Sequence, residues 1–166
     1  ILKTDINIKK GQSVFDLGSY PGSWSQVACE HVGSTGKVAA IDMQEMKLPN
    51  CFFLHKSIEE IHESDFEEIS EFLPFDLVLS DMAPNISGIR ERDNALMMGL
   101  VNSTLSVIDN FLKIKGSVLI KVFQGESLDY TRQALKKRFN KVKISKPKAS
   151  RPNSREIYII GKELKK

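Results

Sequence analysis

Phe75-Asp-Leu-Val-Leu-Ser-Asp-Met-Ala-Pro-Asn85 decides the fold of this 166-residue chain. It is a short apolar strand that stops abruptly on Asp81, with the turn-former Pro84 close behind. Its counterpart is Ser117-Val-Leu-Ile-Lys-Val-Phe123, a buried strand that carries Lys121. An ammonium in such a setting costs several kcal/mol unless paired, so a carboxylate is expected beside it. The plainer alternative is a strand-end lysine extending its head to water. Two such anomalies in one α/β pattern point to a catalytic pair.

Outward from these strands, β-rich runs alternate with helical patterns. Ser13–Leu17 is the first strand, and Ser23 offers an N-cap with Gln26 three residues on, a capping box. Trp24, Val27, Ala28 and Val32 follow at helical spacing up to Gly33. Strands are expected at Lys37–Ile41, ending on Asp42, at Cys51–Leu54 and at Phe75–Ser80, with an acidic helix over Ser64 to Phe72. Asp93 is placed to cap a helix through Leu112, with Leu96, Leu100, Ser103, Val107 and Phe111 on one face and Gly116 ending it. Met97 and Met98 are read as core filling and helix face. Ser127 is placed to cap a helix to Phe139. Val142–Ser145 and Ile157–Ile160 follow with no helix between them, so that pair should be antiparallel. The pattern predicts one doubly wound α/β domain over residues 1–166, with a mostly parallel sheet and a reversed last strand.

Composition excludes several classes. No apolar run approaches the roughly 20 residues of a membrane span. Two cysteines, Cys29 and Cys51, lack metal-ligand spacing and fit a reducing cytoplasm. His31, His55 and His62 form no ligand pattern either. The net charge of +3 hides an asymmetry. Residues 1–112 hold 8 Lys/Arg and 17 Asp/Glu, a balance of −9, whereas residues 113–166 hold 16 and 4, a balance of +12. A basic C-terminal third is the footprint of a polyanion partner. Arg132, Lys136, Lys137 and Arg138 fit a solvated helix face. Lys146, Lys148, Arg151 and Arg155, in a proline-bearing loop, suit the phosphates of a nucleic acid. Ser87-Gly-Ile-Arg-Glu-Arg92 is either a lip that touches RNA through Arg90 or Arg92, or a surface turn.

Asp16-Leu-Gly-Ser-Tyr-Pro-Gly-Ser-Trp24 places glycines where a strand turns into a helix N-terminus, and Asp42 stands where a carboxylate receives ribose hydroxyls. The loop lacks the G-x-G-x-x-G spacing of dinucleotide sites. Tyr20-Pro21 would crowd a pyrophosphate, so an adenosine without phosphate fits better.

These residues carry a family resemblance. Asp16 to Gln26, Leu79-Ser-Asp-Met-Ala-Pro-Asn-Ile-Ser-Gly88, Ile120-Lys-Val-Phe-Gln-Gly125, Lys146-Pro-Lys-Ala-Ser-Arg151 and Ser154-Arg-Glu-Ile-Tyr158 occur in the family's order. The chain resembles the FtsJ family of S-adenosylmethionine-dependent RNA 2′-O-ribose methyltransferases, in particular the bacterial large-subunit ribosomal RNA type, which acts on a uridine. The resemblance implies a Rossmann-like methyltransferase fold, S-adenosyl-L-methionine as cofactor, and ribosomal RNA or the large ribosomal subunit as partner, with no obligate protein partner. It implies a catalytic Lys-Asp-Lys-Glu set whose last three members are Asp81, Lys121 and Glu156. The first lysine would lie in an N-terminal RNA-binding extension before Ile1. Cofactor contacts are implied at Gly18, Pro21, Gly22, Trp24, Asp42 and Asp81. Ser57 stands where the family has an acidic adenine contact, and Glu59 is a substitute nearby.

Geometry points the same way, because ligands of open α/β sheets sit at the carboxyl ends of parallel strands. Asp81, Lys121 and the start of a reversed strand at Glu156 should meet at that rim. Lys121 would serve either as general base or as a charged group that stabilises developing alkoxide. Two other classes fit parts of the sequence. A small-molecule methyltransferase leaves the basic C-terminal third unexplained, and a silent RNA-binding module leaves Asp81, Lys121 and Glu156 unexplained.

Overall fold

The strand β1 (Ser13–Leu17) has no polar face: Val14, Phe15 and Leu17 are all fully buried. A strand covered on both sides reads this way, and β1 lies in the middle of the sheet. The computed structural model describes residues 2–61, 63–146 and 155–166. After a single helical turn at Leu2–Ile6 and β1 come α1 (Ser23–Val32), β2 (Lys37–Asp42) and β3 (Phe52–His55). Then follow α2 (Glu63–Glu68), β4 (Phe75–Ser80), α3 (Arg90–Phe111) and β5 (Leu112–Phe123). The chain ends with α4 (Glu126–Arg138), β6 (Phe139–Ser145) and β7 (Glu156–Leu164).

Among the described residues the strands form one sheet in the order β3-β2-β1-β4-β5-β7-β6. β3 to β5 in that order are parallel, and β7 runs antiparallel to both β5 and β6. This is the expected Rossmann-like sheet with its reversed last strand. The chain leaves β1 toward β2 and later returns to its other side as β4, so the switch point lies between β1 and β4. On one face Phe15, Leu17, Val78 and Ile120 pack with α3, and Phe15 stacks on Phe75 at 4.8 Å. On the other, Val14, Leu77, Leu79 and Leu119 pack with Ala28 and Val32 of α1 and with Leu2 and Ile6.

The structure corrects several local expectations. Ser23 is helical and makes no capping box; Gly22 (φ 107°) is the N-cap, with no side-chain hydrogen bond. Asp93 lies inside α3, where it accepts from the Ser87 amide (2.8 Å) and hydroxyl (2.7 Å), so it ties down the preceding loop instead of capping. Ser127 lies inside α4, and its hydroxyl donates to the Phe123 carbonyl (2.9 Å). Asp93 and Ser127 thus bond to near neighbours in the chain, Ser87 and Phe123, in place of a cap.

Met97, Val101, Thr104, Leu105 and Ile108 of α3 are buried, as is Val107 of the predicted face, whereas Leu96 is 43% exposed. The rest of the predicted face is turned by one residue from the buried stripe. The helix carries apolar residues on two adjacent stripes, and only the position of the sheet selects one. α3 also stops before Gly116, with β5 beginning directly at Leu112. Phe75 pairs with Leu112 and Leu77 with Ser117, so the residues between bulge out, with Lys115 at φ 67°.

Candidate active site

The turn after β1 is built around Gly18, at φ 73°. A Cβ there would lie 2.6 Å from the Met82 side chain, so only glycine lets the loop pass close to the end of β4. The Gly18 amide donates to the Ile41 carbonyl (2.9 Å), which ties the loop to β2. Asp42, at the end of β2, then accepts from two backbone amides, Tyr20 at 2.9 Å and Gln44 at 2.8 Å. Each carboxylate oxygen keeps a further lone pair for a hydroxyl.

Between these loops lies a cavity of about 250 Å³. Gly18, Asp42, Ser57 and Asp81 line it, together with apolar Ile41, Ile58, Met82 and Leu100. Pro21, Gly22 and Trp24 do not. Pro21 is exposed, Gly22 packs against Met46, and the Trp24 ring lies 5.7 Å from that of Tyr158. Ser57 lines the cavity, but its hydroxyl accepts from the Glu59 amide (3.3 Å) to start the short helix Ile58–Glu60. Glu59 is exposed and is not among the lining residues. Sequence reasoning overlooked Asn85 and Lys56, which also line the cavity; Lys56 is paired with Asp65 at 2.6 Å. Beneath the loop, Asp16 is fully buried and accepts from Ser25 Oγ (2.6 Å). Burial pushes its carboxyl up to about 7, against the pull of that hydrogen bond.

The catalytic candidates converge at the carboxyl rim of β4 and β5. Lys121 is 8% exposed. Its Nζ donates to the Asp81 carbonyl at 2.7 Å, stands 3.1 Å from Asp81 Oδ1 and 4.0 Å from Glu156 Oε1. The sheet explains the meeting. Antiparallel pairing sets Tyr158 opposite Lys121 and Glu156 opposite Phe123, and residues two apart on a strand share a face. The same rule brings in Tyr158, whose hydroxyl reaches Asp81 Oδ1 at 3.5 Å and which was not predicted as a site residue. Its two-residue spacing from Glu156 was the available signal. Burial raises the Asp81 carboxyl above its ordinary range, with Lys121 opposing. Burial followed by the charge of Asp81 raises the Tyr158 phenol.

Of the expected RNA contacts, Arg90 opens α3 on the surface, and the Arg155 guanidinium lies over the Phe123 ring at 5.8 Å. Arg155 also acts electrostatically on Asp93 in the first turn of α3. Lys146 is exposed at the end of β6. Lys148 and Arg151 lie outside the described residues. His31 and His55 donate to the Val27 and Met43 carbonyls, and no metal-ligand group occurs among the described residues. His62 lies outside them. No helix among them is long and apolar enough to cross a membrane.

The FtsJ-like methyltransferase family model matches residues 1–164. The chain belongs to the FtsJ-like methyltransferase family. Ribosomal RNA large subunit methyltransferase E of Stenotrophomonas maltophilia is 44% identical over 163 residues, covering 97% of this chain and 78% of that protein. The Nitrosomonas eutropha protein of the same name is 43% identical, with 98% and 80% covered. A Plasmodium falciparum crystal structure assigned as a ribosomal RNA methyltransferase superposes with a TM-score of 0.85 at 27% identity, covering 98% of this chain and 92% of that one. Aeropyrum pernix fibrillarin, solved with S-adenosyl-L-methionine, shares the fold at a TM-score of 0.63 and 13% identity, with 93% and 68% covered.

Proposed function

We propose that this FtsJ-like methyltransferase transfers a methyl group from S-adenosyl-L-methionine to a uridine ribose 2′-hydroxyl of large-subunit ribosomal RNA, in the cytoplasm. The observation that carries this reading is the burial of Lys121 between Asp81 and Glu156, at the rim of the cavity that Asp42 and Gly18 shape. The cavity suits the cofactor: a close-approach glycine, an apolar wall for an adenine, and a carboxylate with lone pairs to spare for ribose hydroxyls. When bound, the cofactor supplies an electrophilic methyl on a cationic sulfonium.

The residues of the chain do the rest. Asp42 holds the cofactor's ribose, and Asp81 offers negative charge on the sulfonium side while holding Lys121. Glu156 and Lys121 orient the RNA hydroxyl, and alignment of this kind lowers a barrier by up to about 7–11 kcal/mol. As a base, Lys121 takes the hydroxyl proton and must first be neutral. The groups found around Nζ are acceptors, a carbonyl and two carboxylates, and the alternative role is that of a charged group stabilising developing alkoxide. A rate that climbs with pH and loses that limb in a Lys121 variant supports the base, whereas a flat profile supports the ammonium.

Arg90, Lys146, Lys148, Arg151 and Arg155 would contact phosphates. The reading is tested by incubating the protein with labelled S-adenosyl-L-methionine and large ribosomal subunits, then mapping the label. Label on a ribose oxygen of the large-subunit RNA is expected; label on a base, or none, overturns the assignment.

A further inference from the structure

At the far end of α1 from the cofactor loop, a groove of about 640 Å³ runs between α1, the start of β2 and the entry to β3. Cys29 and Cys51 both line it, half-buried, and neither takes part in the chemistry above. They are 22 positions apart in sequence but share the wall of this one groove. Cys29 Sγ also lies 3.4 Å from the Asn50 carbonyl, immediately before Cys51, and Cys51 Sγ lies 3.7 Å from the Phe52 carbonyl. This is a dithiol open to small molecules from one side.

The pair is wired to the cofactor loop. Ser25 stands one helical turn before Cys29 and donates to buried Asp16 at 2.6 Å. The segment between Asp42 and Cys51 holds Met43 and Gln44, which line the cofactor cavity, and Met46, which packs on Gly22.

We propose that Cys29 and Cys51 are a modification site at which a hydroperoxide forms an intramolecular disulfide, and that the disulfide weakens cofactor binding. The Cys29 sulfur attacks the peroxide O–O bond, giving a sulfenic acid and an alcohol or water, which takes up the proton. The Cys51 sulfur then displaces hydroxide from the sulfenic acid, closing the S–S bond as the thiol proton leaves with it as water. Two electrons pass from the sulfurs to the peroxide. The neighbouring Cys51 thiol lowers that of Cys29, while Cys29 and burial raise that of Cys51, the division of labour that an attacking and a resolving cysteine need. Bonded sulfurs sit about 2.05 Å apart, closer than two unbonded thiols can approach, so closure must draw the two side chains together. That pulls α1 toward Asn50 and Cys51 and shifts the segment that carries Met43 and Met46. The affinity effect rests on the cofactor reading above; the disulfide itself does not.

Treating the protein with hydrogen peroxide should join the tryptic peptides 11–37 and 48–56, with the pair two hydrogen atoms lighter. Calorimetry should then show S-adenosyl-L-methionine bound at least about fivefold more weakly, reversed by dithiothreitol. Cys51→Ser should bind the cofactor normally and lose both responses, which separates the effect from methionine oxidation. Peptides that stay unjoined, or cysteine acids without a cross-link, overturn the proposal, as does a cross-linked protein of unchanged affinity. A reduced protein that binds no cofactor overturns the reading of the cavity and the affinity effect together, while peptide masses still decide the dithiol.

Discussion

Asp42 and Asp81 both end parallel strands of one sheet, yet they are held in opposite ways. Asp42 is gripped by backbone amides of its own and the neighbouring loop, which leaves it a fixed acceptor in the cavity wall. Asp81 is held by side chains from strands 40 and 77 positions away, Lys121 and Tyr158, and is buried enough that its carboxyl is raised. The first arrangement leaves a rigid acceptor with lone pairs to spare. The second brings an ammonium, a carboxylate and a phenol within reach of one another. The two should therefore fail differently when broken.

The largest effect is expected from Lys121→Ala, which should lower methyl transfer by about 10²–10⁴ while cofactor affinity stays nearly unchanged, because the lost group acts on the reacting hydroxyl. Lys121→Met, similar in shape, should be equally inactive. Single-turnover assays at saturating cofactor check both, and near-normal rates in either variant would leave the residue structural.

Asp16 sharpens the comparison from below the cofactor loop. Its folded pKa of about 7 lies above the ordinary value of 3.8, so the folded state holds a proton that the unfolded chain has lost. Its contribution to stability should be present below about pH 4 and disappear as pH rises through about 7, on the order of a few kcal/mol in all. Thermal unfolding from pH 5 to 8 should show this decline in the natural protein and a flatter profile in Asp16→Asn.

Asp42→Ala should break the cofactor side alone. Loss of a charge-assisted acceptor removes about 1.5–3 kcal/mol, or roughly 10–150-fold in affinity by calorimetry, with the chemical step little affected at saturation. Tyr158→Phe should be the mildest. It removes one long hydrogen bond to Asp81 but keeps the ring contact with Trp24, so about 0.5–1.5 kcal/mol is expected, seen in turnover and not in cofactor affinity. An equal loss in both readouts would merge the two regions that Asp42 and Asp81 represent here.

The sequence by itself determined the order of strands and helices, the reversed final strand, and the acids at the ends of β2 and β4. Those features rest on local periodicity and on where a strand must turn, which neighbouring residues dictate. The tight turn after β1 was legible for the same reason, since Gly18 sits at φ 73°. The tertiary structure alone decided which partners the polar side chains chose. Ser25 of α1 turned to Asp16 of β1, because a buried polar group takes the partner that the packing brings. The stripe that α3 buries, the place of Tyr158 beside Asp81 and the groove that Cys29 and Cys51 share are of the same kind: each joins strands or helices far apart in sequence, and only the register of the sheet brings them within reach.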